Sequence, residues 1–271
     1  MHAYGSVAAI LLLLLAGSAP AMAQDASSSV SFDGIGLTFD EVLGTSVDIT
    51  TVPGQPADLE QPSGPEVPHL AFTLYGPQPE ATKVPRASLA PNVIRLYRTD
   101  DLTGYDQASQ ELATLEGLLS ERPDLAPYEE VAPDGSGSAL PYLPIVPAAQ
   151  VIRARVQYID TPELAGVAYL TAFRQDVSPF AADDFWYTFQ GLSADGGWYV
   201  AADFVVQADG FPAKPGAQET RRISEASRYA DYLEESVSRL NGAPADDFTP
   251  VLGSIDALVR SIEIADTATD E

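Results

Sequence analysis

The sequence predicts an α+β fold: an antiparallel β-sheet of six to eight strands flanked by helices, arranged as an α/β/α sandwich. Three observations predict it. Between residues 151 and 206, four segments rich in β-branched and aromatic residues follow one another with only turn residues between them. Amphipathic helical stripes lie before these segments and after them. Segments 185–189 and 198–206 are apolar or aromatic on both faces, which suits a sheet covered on both sides.

The N-terminal third alternates strands with proline-rich loops. Val30 to Phe32 and Ile35 to Phe39 have period-2 apolar spacing around Asp33-Gly34, predicting a strand broken by a bulge or tight turn. Residues 47–52 predict a second strand. Residues 53–68 hold five prolines and predict a long polar loop. Residues 69–75 alternate again, with Leu70, Phe72 and Leu74 on one face. Residues 77–91 predict another loop, and 93–98 a fourth strand.

Leu112, Leu115, Leu118 and Leu119 predict a helix over about 105–121, closed by Pro123. Residues 123–147 are extended and punctuated by proline, with Asp134-Gly135-Ser136-Gly137-Ser138 at their most flexible point. Strands at 151–159, 167–173, 184–189 and 198–206 predict an antiparallel meander, since no helix-length segment separates them. From about Thr220, Ile223, Ala226, Ala230, Leu233, Val237 and Leu240 form one helical stripe, ended by Asn241-Gly242. Thr249-Pro250 predicts the start of a last helix, Thr as N-cap and Pro in the first turn, with Leu252, Ile255, Leu258, Val259 and Ile262 as its stripe.

Residues 7–16 read VAAILLLLLA, too short a run to span a bilayer of about 30 Å. Gly17, Ser18 and Pro20 interrupt any helix, and Ala21-Met22-Ala23 supplies small residues for signal peptidase. The prediction is a signal peptide over 1–23, cleaved after Ala23, and secretion to the periplasm or medium. No Lys or Arg precedes the apolar run, which departs from the usual signal pattern. Leu15-Ala16-Gly17-Ser18 is a bacterial lipobox with serine in place of cysteine; a hydroxyl cannot form the thioether, so a lipoprotein is not expected. One α+β domain is expected over 24–265, followed by an acidic tail over 266–271.

Composition narrows the chemistry. The 271 residues carry 39 Asp+Glu against 14 Lys+Arg, a net charge of −25, which disfavours nucleic acid and anionic membrane surfaces. The absence of cysteine excludes disulfides, thiolate nucleophiles and cysteine metal sites. The two histidines, His2 and His69, exclude a multi-histidine metal centre. No cofactor fingerprint is present, and no stable membrane insertion is expected after cleavage.

Four blocks carry a resemblance: Leu140-Pro141-Tyr142-Leu143-Pro144; Ala148-Ala149-Gln150-Val151; Phe185-Trp186-Tyr187-Thr188-Phe189-Gln190-Gly191-Leu192; and Asp195-Gly196-Gly197-Trp198-Tyr199-Val200. Together they resemble a family of uncharacterised bacterial secreted proteins and lipoproteins, over about residues 30–264. That resemblance implies an envelope location and transfers no catalytic residues; Ser18 stands where the family usually carries its lipid-bearing cysteine. The opening hairpin at Gly34 to Phe39 and the closing helix near 252–262 are similar to Mog1/PsbP-like α/β/α domains, a likeness of topology that implies no function.

Each chemical signal has a plainer reading beside it. His69 follows Pro68 at a strand head, and no Gly-x-Ser-x-Gly elbow accompanies it, so it reads as a strand-end residue and not as part of a triad. Asp134 to Ser138 resembles half a calcium loop, but Ala139 and Ile145 stand where glycine and glutamate belong, so it reads as a linker. Asp100-Asp101, Asp183-Asp184 and Asp246-Asp247 are paired acids of the kind glycoside hydrolysis uses, in a chain where acids are common. Arg153 and Arg155 are placed on one strand face, where they either grip an anionic ligand or pair with Asp160 or Asp203. Trp186, Tyr187, Trp198 and Tyr199 are expected to cluster at the ends of adjacent strands, as a stacking surface or as core. These six residues are the expected binding set; no catalytic residue is assigned. The expected function is a secreted, non-catalytic protein binding an unidentified envelope or extracellular partner or ligand. A carboxylate-based hydrolase acting on polysaccharide, or an assembly factor of chaperone type, is the alternative.

Overall fold

The computed structural model describes residues 27–55, 65–76, 92–129, 139–223 and 226–265. The expected signal peptide at 1–23, most of the expected loop at 53–68, the expected loop at 77–91, Asp134 to Ser138 and the expected tail at 266–271 lie outside the described residues.

The chain opens with a hairpin in which β1 (Ser27–Phe32) and β2 (Ile35–Asp40) pair antiparallel. Its two-residue turn has φ values of 50° at Asp33 and 77° at Gly34, the left-handed pair that matches strand twist and that Asp-Gly accepts with little strain. Three further strands follow, β3 (Ser46–Val52), β4 (His69–Tyr75) and β5 (Val93–Arg98). The short α1 (Thr99–Leu102) leads into α2 (Asp106–Glu121), and a 3-10 turn occupies Ala126–Glu129. The expected meander comes next as β6 (Ala149–Asp160), β7 (Leu164–Arg174), β8 (Phe185–Ser193) and β9 (Trp198–Ala208). The chain ends through α3 (Ala217–Arg222), α4 (Ala226–Gly242), β10 (Phe248–Thr249), α5 (Leu252–Arg260) and β11 (Glu263–Ile264).

The main sheet has eight antiparallel strands in the order β3-β4-β5-β9-β8-β7-β6, with β10 beside β9. Helices cover both faces, so the fold is the α+β sandwich that two-sided apolar strands demand. One face packs Phe72, Ile94, Phe189, Phe204 and their neighbours against α4 and α5, through Leu233, Val237, Leu240, Ile255, Leu258 and Val259. The other packs Tyr97, Val167, Tyr169, Tyr199 and Ala201 against α2, through Leu112, Leu115 and Leu118, and against Leu140, Tyr142 and Leu143. Among the described residues, no helix is long and apolar enough to cross a membrane.

Three details differ from the sequence expectation. The opening hairpin leaves the main sheet and joins β11 in a three-stranded one, because Ile35, Leu37 and Phe39 bury beside α5. Ser261 fixes that join: the Thr38 N–H donates to its Oγ at 2.9 Å, and its hydroxyl donates to the Thr38 carbonyl at 2.7 Å. The stripe from Thr220 to Leu240 falls on two helices, α3 and α4, on either side of 224–225, which lie outside the described residues. Thr249 does not cap α5: it is hydrogen-bonded as strand β10 opposite Gln207, and the helix starts after Val251.

Candidate functional site

A register slip in β6 builds the site. Ala154 pairs with Leu170 but Gln157 pairs with Ala168, so Arg155 and Val156 together oppose one residue of β7. Arg155 takes φ 54°, a left-handed conformation that costs a non-glycine residue on the order of 1 kcal/mol. Its neighbours hold it there. The Arg155 N–H donates to Asn241 Oδ1 at 2.7 Å. Its Nη1 reaches three carbonyls at the C-terminus of α4: Leu240 at 3.2 Å, Asn241 at 3.4 Å and Ala243 at 2.7 Å. A guanidinium at this end of a helix meets both the unpaired carbonyls and the negative end of the helix dipole.

The other freed amide is also capped. Val156 N–H donates to Glu129 Oε1 at 2.9 Å, and Asn241 Nδ2 donates to Glu129 Oε2 at 2.8 Å. β6 is the last strand of the sheet, so these side chains also block its open edge. Opposite, the buried Tyr187 hydroxyl donates to Asp256 Oδ1 at 2.6 Å, and Gln157 Nε2 lies 3.4 Å from both Asp256 oxygens. Between the bulge, the end of α4 and the start of α5 lies a cavity of about 450 Å³, lined by Glu129, Arg155, Gln157, Tyr187, Asn241 and Asp256, with Gly253 at its α5 wall. That volume lies in the range of small-molecule sites.

A second polar array lies on the α2-covered face of the sheet. Arg95 Nη1 donates to Asp203 Oδ2 at 2.9 Å, and the Thr188 hydroxyl donates to Asp203 Oδ1 at 2.9 Å. Gln190 Nε2 donates to Thr188 Oγ1 at 2.7 Å, while Gln190 Oε1 accepts from the Tyr199 hydroxyl at 2.7 Å and from the Leu143 N–H at 2.9 Å. Tyr169 donates to the Pro141 carbonyl at 2.7 Å, and the Tyr142 N–H donates to Glu111 Oε2 at 2.9 Å. The strap Leu140 to Leu143 is thus tied down by Gln190 of β8, Tyr169 of β7 and Glu111 of α2. Burial pushes the Asp203 carboxyl up to about 6, against the opposing pull of Arg95 and Thr188. Burial likewise raises the Glu111 carboxyl, opposed by the Tyr142 N–H. The Tyr142 hydroxyl approaches Asp203 but stays outside hydrogen-bonding geometry. The array orders the strap.

The six expected binding residues separate. Arg153 and Arg155 do not share a face, because the bulge falls immediately after Ala154. Arg153 is buried opposite Thr171, and Arg155 turns to α4. Neither expected acid takes Arg155: Asp160 pairs with Arg122 at 2.6 Å, and Asp203 with Arg95. The aromatic residues do not cluster either. Antiparallel pairing sets Trp186 against Val205 but Tyr199 against Leu192, at opposite ends of the hairpin. Trp198 and Tyr199 are core residues, Trp198 lying under the Arg98 guanidinium at 3.7 Å. Arg155 and Tyr187 alone of the six line the cavity.

His69 is half-buried, its Nδ1 at 2.8 Å from the Val67 carbonyl and its ring 5.0 Å from that of Tyr97. Sequence reasoning missed Glu129, Gln157, Asn241 and Asp256 as site residues, since they are scattered over the chain. The one legible trace was Asn241-Gly242, read as a helix end; that end is what Arg155 caps. Among the described residues, no three His, Cys, Asp or Glu side chains are grouped to hold a metal ion. No protein-family model, curated protein or solved structure matches the chain.

Proposed function

We propose that this protein is an exported, non-catalytic binding domain of the cell envelope or exterior, and that its ligand enters the cavity beside Arg155. One observation carries the reading. A residue in a strained left-handed conformation, a register slip and the ends of two helices converge on one cavity, and strain of this kind concentrates at functional sites. Export is supported by the apolar run at 7–16 followed by Ala21-Met22-Ala23. A carboxylate hydrolase is the second reading, favoured because Glu129 and Asp256 line the same cavity. Both carboxylates already accept hydrogen bonds from the fold, which supports binding over proton transfer.

Gly253 provides the test. Gly253 lines the cavity and a Cβ added there meets no atom within 4 Å, so Gly253→Phe is the substitution chosen to obstruct the cavity. In a thermal-shift screen of envelope metabolites, saccharides and peptides, we expect compounds that raise the melting temperature of the wild type and leave Gly253→Phe unmoved. Compounds that stabilise both proteins equally overturn the cavity reading. Polysaccharide hydrolysis that Glu129→Gln abolishes establishes the hydrolase instead.

A further inference from the structure

The hydrogen-bond inventory of the cavity specifies what its ligand must bring. We infer that the cavity takes a small primary ammonium compound, and not an anion or an uncharged sugar; the inference rests on the cavity reading above. The polar side chains that line it divide by role. The donors turn toward the fold. Arg155 Nη1 is held by three carbonyls of α4, Asn241 Nδ2 donates to Glu129, the Tyr187 hydroxyl donates to Asp256, and Gln157 Nε2 is directed at Asp256. The acceptors have room among the described residues. An ionised carboxylate has about four lone-pair positions. From the described residues, Glu129 accepts two hydrogen bonds, and Asp256 accepts one short bond and two long contacts. A ligand that supplies N–H donors finds carboxylate partners on two walls of the cavity.

Charge selects among donors. Two carboxylates face the cavity against one guanidinium, and that guanidinium points into a helix end. The chain around it carries −25, so an anion approaches against the field of the whole molecule and a cation along it. The arginine that the sequence offers for gripping an anion commits its Nη1 to the end of α4 instead. An ammonium carries three donors and a compact charge, which suits carboxylates on two walls of one cavity.

Isothermal titration with glucosamine, glucose and gluconate, probes of similar size that differ in charge, decides it. Glucosamine is expected to bind the full exported chain and the other two not. Glu129→Gln and Asp256→Asn, each of which keeps an acceptor oxygen but loses the charge, should each weaken glucosamine about ten- to a hundredfold. Binding should also weaken as NaCl is raised. Glucose or gluconate binding as tightly as glucosamine, and lost in Gly253→Phe, overturns the ammonium inference and leaves the cavity reading standing. Glucosamine binding that survives in Gly253→Phe overturns both. Failure of all three probes to bind overturns the inference, while the Gly253 screen decides the cavity reading by itself. Circular dichroism of each variant separates lost binding from lost fold.

Discussion

Asp203 is 1% exposed, inside a strand otherwise filled by Val200, Ala201, Ala202, Phe204 and Val206. Its partners Arg95 and Thr188 offset only part of the desolvation of its charge. With the folded-state carboxyl raised to about 6 from 3.8, the folded protein takes up this proton at higher pH than the unfolded chain does. Stability therefore rises as pH falls from 7 through 6 to about 4, by on the order of 3 kcal/mol from this group. His69 acts in the opposite sense: burial lowers its proton affinity, so stability is lost as pH falls below 6.5. Asp203→Asn should flatten the rise in melting temperature between pH 7 and 4. The same slope in mutant and wild type would place its origin elsewhere. Asp203→Ala, which strands Arg95 without a partner at this position, should cost about 3–5 kcal/mol at pH 7, read by urea denaturation.

At the scale of elements, the bulge in β6 and the end of α4 are one device. Arg155 reads the α4 carbonyls, Asn241 reads the bulge backbone, and Glu129 bridges both. Arg155→Ala removes three charge-assisted hydrogen bonds and keeps the left-handed strain; we expect a loss of about 2–3 kcal/mol in chemical denaturation. Arg155→Gly removes the same bonds but relieves the strain, so it should be the more stable of the two by about 1 kcal/mol. Equal stability would mean that the left-handed backbone at this position carries no strain. A second device joins β7 and β8. Gly166 and Gly191 are paired across the strands, and the Phe189 ring lies over both; a Cβ at either would sit about 2.5 Å from that ring. The glycines of this hairpin are vacancies that an aromatic ring fills.

For the whole molecule, charge dominates. Among the described residues, Arg95, Arg122 and Arg174 pair with Asp203, Asp160 and Asp184, but the chain carries 39 acids against 14 Lys+Arg, so the acids far outnumber the cations that could meet them. Screening should relieve the repulsion among them, with a Debye length of ~10 Å at 0.1 M salt and ~3 Å at 1 M. The melting temperature should therefore rise as NaCl goes from about 0.01 M to about 1 M at pH 7. A flat or falling series would show that the fold already disperses its acids. Run at pH 7 and at pH 5, the same series separates this diffuse effect from Asp203, which is buried beyond the reach of salt.

Local pattern was enough for the longer elements of the described chain. Period-2 runs became β3, β4 and β5, the β-branched and aromatic block became the meander, and leucine spacing became α2, because burial on one or two faces imposes its period on the residues themselves. The separate three-stranded sheet was not legible, since β11 is two residues long and exists only by pairing with β2. Nor was the cavity. A bulge inserts one residue and reverses the face of everything beyond it, so the alternation that places Arg153 and Arg155 together fails where the site begins. Periodicity assigns residues to faces within an element. Which helix end meets which bulge depends on long-range packing, and Glu129, Arg155, Asn241 and Asp256 came together only in the tertiary structure.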